Sequence, residues 1–179
     1  MPEALLIIDY QNDFIPGGAL AVTGGDEIAD RINALAADPR FDLVVATRDW
    51  HPANHNSFAE QGGPWPAHCV QGTGGADFSP ALEADRVDAV VDAGQKPELE
   101  GYSGFEETNL RDLLHERGID KVTVVGLATD YCVKHTALDA LREGFQVEID
   151  SSAVRGVEVE PGDSDRALEE MRAAGANVT

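Results

Sequence analysis

A chain of 179 residues, 42% of them hydrophobic, is long enough to bury a sizeable core as one domain, residues 1–179. It carries no apolar run near membrane-spanning length and no charged-then-apolar leader, which points to a soluble cytoplasmic protein. Its 33 acidic against 13 basic residues, formally −20, make a surface that repels nucleic acid and anionic lipid, so both are excluded as partners.

The acid is spread along the chain without a long run, the pattern of a solvated face rather than a tail, and suits a salt-rich cytoplasm in which counterions relieve the self-repulsion. Two cysteines, Cys69 and Cys132, give no disulfide framework; in a cytosolic protein they point to catalysis or metal chemistry.

In chain order, Ala4-Leu-Leu-Ile-Ile-Asp9 is an apolar strand ending in an aspartate. A turn-rich stretch follows, then a helix introduced by Thr23-Gly-Gly-Asp26 with the stripe Ile28, Ile32, Leu35 and Ala36, stopped at Asp38-Pro39. Leu43 to Thr47 is the second strand, leading into Arg48-Asp-Trp-His51. Residues 52–80 have little periodicity but many glycines, prolines, histidines and aromatics, and a loop that long in a compact domain is usually functional.

Val87 to Val91 reads as a third strand, before Gly94-Gln-Lys96-Pro97, and a helix runs from about Thr108 to Glu116. Val122-Thr-Val-Val-Gly126 is a fourth strand, and Val133, Ala137, Leu138 and Leu141 recur at helical spacing up to Gly144. Phe145 to Ile149, Ser164 to Ala174 and Ala176 to Thr179 complete a strand, a helix and a short strand. Strands alternating with helices give an α/β fold: three layers, α/β/α, around a mainly parallel sheet of about six strands.

Ligands of open α/β sheets bind beyond the carboxyl ends of the strands. Those ends carry Asp9, then Asp49 and His51, then Lys96, then Cys132. Alone, each has a bland reading: a capping aspartate, a solvated lysine, a small buried thiol. Asp49-x-His51 chelates a metal only if a third ligand returns, and His68 is the candidate across the long loop. Cys132, in the first turn of a helix leaving a strand, sits where unpaired N–H groups stabilise a thiolate. Together the five groups on one rim are functional.

These residues resemble the nicotinamidase/pyrazinamidase group of the isochorismatase-like cysteine hydrolases. The resemblance spans nearly the whole chain through Ile8-Asp-Tyr-Gln-Asn-Asp-Phe14, Gly17-Gly-Ala-Leu-Ala-Val22, Thr47-Arg-Asp-Trp-His-Pro52, Trp65-Pro-Ala-His-Cys-Val70, Lys96, Tyr102-Ser-Gly-Phe105 and Gly126-Leu-Ala-Thr-Asp-Tyr-Cys-Val133. It implies a triad of Asp9, Lys96 and Cys132, with Asp9 and Lys96 ion-paired. It also implies a divalent metal, zinc first with iron or manganese as alternatives, on Asp49, His51 and His68.

The ring pocket is then lined by Phe14 and Trp65, the oxyanion hole is made by the N–H groups of Ala128 and Cys132, and Leu127–Ala128 is a cis peptide. A fourth metal position is left open among His55, Ser57 and water. The activity implied is hydrolysis of nicotinamide, and of pyrazinamide, through a cysteine thioester, as in NAD salvage. Rival readings are an isochorismatase-like hydrolase or amidase of another small substrate, and a thiol- or metal-based sensor. A homo-oligomer is compatible with all of them.

Overall fold

The computed structural model describes residues 1–179. Its six strands are β1 (Glu3–Ile8), β2 (Leu43–Asp49), β3 (Ala89–Ala93), β4 (Lys121–Leu127), β5 (Gln146–Arg155) and β6 (Asn177–Val178). They form one sheet in the order β3-β2-β1-β4-β5-β6, with every pairing parallel. The helices are α1 (Ala29–Ala36), α2 (Leu110–Glu116), α3 (Lys134–Arg142) and α4 (Asp163–Ala174).

Alternate side chains of each strand feed two cores. Leu6 and Ile8 of β1 join Val122 and Val124 of β4 beneath α2, α3 and α4. Leu5 and Ile7 join Val125 and Leu127 beneath α1 and the flanking loops. The four apolar residues of β1 from Leu5 to Ile8 are at most 1% exposed, each contributing about 1.5–3 kcal/mol of burial. This explains why the strand reads as a continuous apolar run: it has no solvent face to alternate toward.

The strand order reverses at β1, so the crevice between the ends of β1 and β4 is the topological switch point. Gly126 makes it narrow. Its φ of +111° and its pairing with Ile8 leave no room for a side chain, since a Cβ there would lie 2.2 Å from the Ile8 carbonyl oxygen.

Several boundaries differ from the sequence reading, β2 for one running on to Asp49. β3 runs two residues later than expected and ends at Ala93. β5 continues to Arg155 past an irregularity in its pairing with β4. The helix introduced at Thr23 begins as a tight 3₁₀ turn, Gly25–Ile28, before α1. Tertiary pairing, which apolar period does not encode, sets each of these ends.

Candidate active site

Asp9 follows β1 directly, in the left-handed region at φ +47°, a conformation aspartate tolerates better than most residues. Thr47 of β2 holds it: the Asp9 N–H donates to Thr47 O at 3.3 Å and to Thr47 Oγ1 at 3.2 Å, and that hydroxyl donates to Asp9 Oδ1 at 2.7 Å. Across the switch point, β4 runs through a cis Leu127–Ala128 peptide into a π-helical turn, Thr129–Val133, which carries Cys132. The turn closes with the Val133 N–H donating to Ala128 O at 3.0 Å. The Ala128 N–H has no backbone or side-chain acceptor in the protein.

Both side chains are buried, Asp9 at 3% and Cys132 at 6% exposure. Burial, then the Asp49 carboxylate, pushes the Asp9 carboxyl up to about 7. Burial, then the charges of Asp9 and Asp49, pushes the Cys132 thiol well above its ordinary value. In the metal-free protein these surroundings favour a neutral Cys132 thiol over the thiolate expected from a helix N-terminus.

Asp49, the last residue of β2, meets two imidazoles. Its Oδ2 lies 3.0 Å from His51 Nε2 and 3.4 Å from His68 Nε2. His51 Nδ1 contacts the Gly94 carbonyl and His68 Nδ1 the Pro66 carbonyl, each at 2.8 Å. Nδ1–H donation to those carbonyls points both Nε2 atoms at Asp49, whose carboxylate accepts from them in the metal-free protein. Burial acts to raise Asp49, but the two histidines outweigh it and hold its carboxyl at about 2.

Asp49 Oδ1 is buried with no hydrogen-bond partner. One ligating atom from each of the three residues lies within 4.8 Å of the others. A buried carboxylate with one unpartnered oxygen, beside two imidazoles whose Nε2 atoms become ligands once deprotonated, fits a divalent cation.

Cys132, Asp49 and His68 open on one small apolar cleft of about 340 Å³, part of it open to solvent, which is also lined by Phe14, Trp65, Tyr102 and Tyr131 among others; Asp9 and His51 do not line it. Trp65 donates its Nε1–H to Tyr102 Oη at 3.0 Å and meets Tyr131 edge-on at 5.1 Å between ring centroids. Phe14 lies 5.6 Å from the His68 ring. Tyr102 and Tyr131 were not singled out from the sequence as pocket residues, although both lie inside the motifs Tyr102-Ser-Gly-Phe105 and Thr129-Asp-Tyr-Cys132.

The isochorismatase domain family matches residues 3–179. The chain belongs to the isochorismatase family. A nicotinamidase of Escherichia coli (strain K12) is 44% identical over 200 residues, covering 99% of this chain and 94% of that one. The crystal structure of the pyrazinamidase of Pyrococcus horikoshii in complex with zinc superimposes with a TM-score of 0.92 at 47% identity, covering 100% and 99%. That of PnC1 from L. infantum in complex with nicotinate gives 0.94 at 39% identity, covering 99% and 92%.

Within this isochorismatase-family site, one expected member is missing. Lys96 is not beside Asp9: its side chain is 60% exposed and pairs with Glu107 at 3.7 Å. The third strand ends at buried Ala93, and Gly94, at φ +66°, turns the chain outward before Lys96. None of the 13 lysines and arginines is buried, so no lysine or arginine takes its place. The expected Asp9–Lys96 ion pair is corrected accordingly, and the cationic neighbour that does act on Asp9 is His51.

His55 and Ser57 are not aimed at the metal donors either. His55 Nδ1 pairs with Ser57 Oγ at 2.7 Å, its Nε2 with Leu99 O at 2.6 Å, and its ring packs 3.7 Å from that of His51. Through that ring contact His55 packs against His51 instead of adding a donor to the Asp-His-His group.

Proposed function

We propose that this chain is a nicotinamidase of the isochorismatase family, hydrolysing nicotinamide to nicotinate and ammonia, with pyrazinamide as a second substrate, and that residues 1–179 act as one catalytic domain. The observation that carries the reading is the buried Cys132 thiol, with the buried Asp9 carboxyl beside it, sharing one aromatic-lined cleft with Asp49 and His68 of an Asp-His-His donor set. The nicotinamidase, pyrazinamidase and nicotinate-bound relatives support it.

In this mechanism Asp9 takes the Cys132 proton as sulfur attacks the carboxamide carbon. The N–H groups of Ala128 and Cys132 receive the tetrahedral oxyanion, a contribution of about 3 kcal/mol per donor in comparable sites. The C–N bond then breaks, with the proton held on Asp9 passing to the leaving ammonia and a thioester left on Cys132. Water next adds to the thioester, giving its proton to Asp9. The C–S bond breaks, the thiolate recovers that proton from Asp9, and the acid product gives its remaining carboxyl proton to the released ammonia or to solvent and leaves as nicotinate.

With no lysine beside it, Asp9 works as a dyad partner of Cys132, and its high pKa suits a group that both takes and returns a proton. Asp49, His51 and His68 would hold a divalent metal, which when bound would supply Lewis acidity toward the pyridine ring. Two imidazoles and a carboxylate suit zinc, as the zinc complex of the P. horikoshii relative supports. Phe14, Trp65 and Tyr102 sandwich the ring. The −20 charge supports a function away from nucleic acid and anionic lipid, and no helix is long and apolar enough to cross a membrane, in keeping with a cytoplasmic place in NAD salvage.

Ammonia release from nicotinamide by the purified protein, before and after chelation and with Cys132→Ala alongside, tests this. The expected result is release that falls about 10³-fold or more in the variant, which still binds nicotinate, and that is lost on chelation and restored by zinc. No release from nicotinamide or pyrazinamide by the zinc-loaded protein overturns the reading in favour of a family member with another substrate.

A further inference from the structure

The segment that leaves β1 sends alternate side chains to three parts of the site. Asp9 faces the thiol. Gln11, fully buried, faces Asp49, and Asp13 faces the residue after His68.

The Gln11 contacts replace a missing strand. The registered pairs of β1 with β2 end at Ile7 with Ala46, followed by the single bond from Asp9 N–H to Thr47 O. The backbone of Asp49, two residues further along β2, has no strand beside it on that side. Gln11 fills the place with its side-chain amide: Nε2 donates to Asp49 O at 2.8 Å, and Oε1 accepts from Asp49 N–H at 2.9 Å. Its second Nε2 hydrogen goes to Ala76 O at 2.9 Å, so both donors and the acceptor of a buried amide are satisfied.

Asp13 does the same for the other end of the donor set. Its Oδ2 accepts from the N–H of Cys69 at 2.7 Å, fixing a residue held at φ +47° immediately after His68, while Oδ1 accepts from Ala19 N–H at 3.3 Å. Gly75 allows the carboxylate this close, since a Cβ there would lie 2.2 Å from Asp13 Oδ2.

We infer that Gln11 and Asp13 are positioning residues that set the spacing of the metal donors Asp49 and His68, from the same five-residue segment that begins with the general base Asp9. Neither touches the metal donors' ligating atoms. Each acts through a backbone group of, or next to, a donor. The inference rests on the metal-binding reading above and adds to it the groups that hold the site in shape without metal.

The test is zinc affinity, measured on the full metal-stripped chain by competition with a chromophoric chelator, together with the visible spectrum of the cobalt(II) form, for the parent, Gln11→Leu, Asp13→Ala and Asp13→Asn. Outer groups of this kind are worth about 10–100-fold in metal affinity. Gln11→Leu and Asp13→Ala are expected to lose that much and to shift the cobalt bands. Asp13→Asn keeps an oxygen acceptor for the Cys69 N–H and is expected to recover most of the loss.

A merely structural role would lower the melting temperature of the metal-free protein and leave affinity and spectrum unmoved. Folded Gln11→Leu and Asp13→Ala proteins within twofold of the parent affinity, with unchanged cobalt bands, overturn the inference. If Gln11→Leu does not fold, the Asp13 pair decides on the same criteria. A parent chain that takes up neither zinc nor cobalt overturns the metal reading itself, and this inference with it.

Discussion

Asp9 owes its chemistry to what is absent around it. Burial and the Asp49 charge raise it from 3.8 to about 7, and no lysine or arginine opposes them. In the metal-free protein the native state therefore binds a proton between about pH 4 and 7 that the unfolded chain has released. Native-state stability from this group is fully present below about pH 4 and is lost as pH rises through 7, at a slope approaching about 1.4 kcal/mol per pH unit. Asp9→Asn removes that slope. Urea unfolding of parent and variant at several pH values should show the variant gaining on the parent as pH rises across the window, and parallel curves would contradict the assignment. Lys96 gives the opposite expectation. An exposed pair such as Lys96–Glu107 is worth about 0–1 kcal/mol, so Lys96→Ala should keep kcat/KM for nicotinamide within about twofold; a tenfold loss would return Lys96 to the machinery. Sequence alone pointed to Lys96 because a lysine is scarce here and stands just after an apolar run. Whether a residue three positions past a strand turns inward depends on the backbone at Gly94, which hydrophobic pattern does not report. That Asp9, Asp49, His51, His68 and Cys132 come together was legible because they stand at strand ends or within a spaced motif.

The turn after β4 joins the nucleophile to the rest of the fold. Val133, Ala137 and Leu141 located α3 from their spacing, but the wider turn that carries Cys132 is a matter of backbone hydrogen bonding and leaves no side-chain period to read. Asp130 anchors that turn. It is buried, and its two carboxylate oxygens accept the N–H groups of Val157 and Glu158, each at 2.9 Å, in the connection between β5 and α4. Val157 in turn lines the cleft. Asp130→Ala strands two backbone donors and is expected to cost about 2–3 kcal/mol. Asp130→Asn keeps one acceptor and should cost less. Urea midpoints for the two variants check this, and equal midpoints for parent and Asp130→Ala would mean that the turn is held by its own packing.

At the scale of the whole chain, charge dominates. Many of the 13 basic side chains are already spent in local ion pairs, among them Arg31–Asp150, Arg48–Asp92, Lys121–Glu148 and Arg166–Asp163, and most of the 33 acids have no partner to pair with. The surplus of 20 negative charges repels itself more strongly in the compact state than in the expanded chain, so screening stabilises the native state. Because the Debye length falls from about 10 Å at 0.1 M to about 3 Å at 1 M, the melting temperature should climb steeply with KCl up to about 1 M and more slowly beyond. A matching rise in NaCl identifies screening rather than a specific potassium site. A gain that appears only above about 1 M would instead report exclusion of salt from the surface, an effect any protein shares. A melting temperature that stays flat or falls with either salt would mean that the acidic surface carries no stability penalty at low ionic strength, and the argument for a salt-rich habitat would go with it.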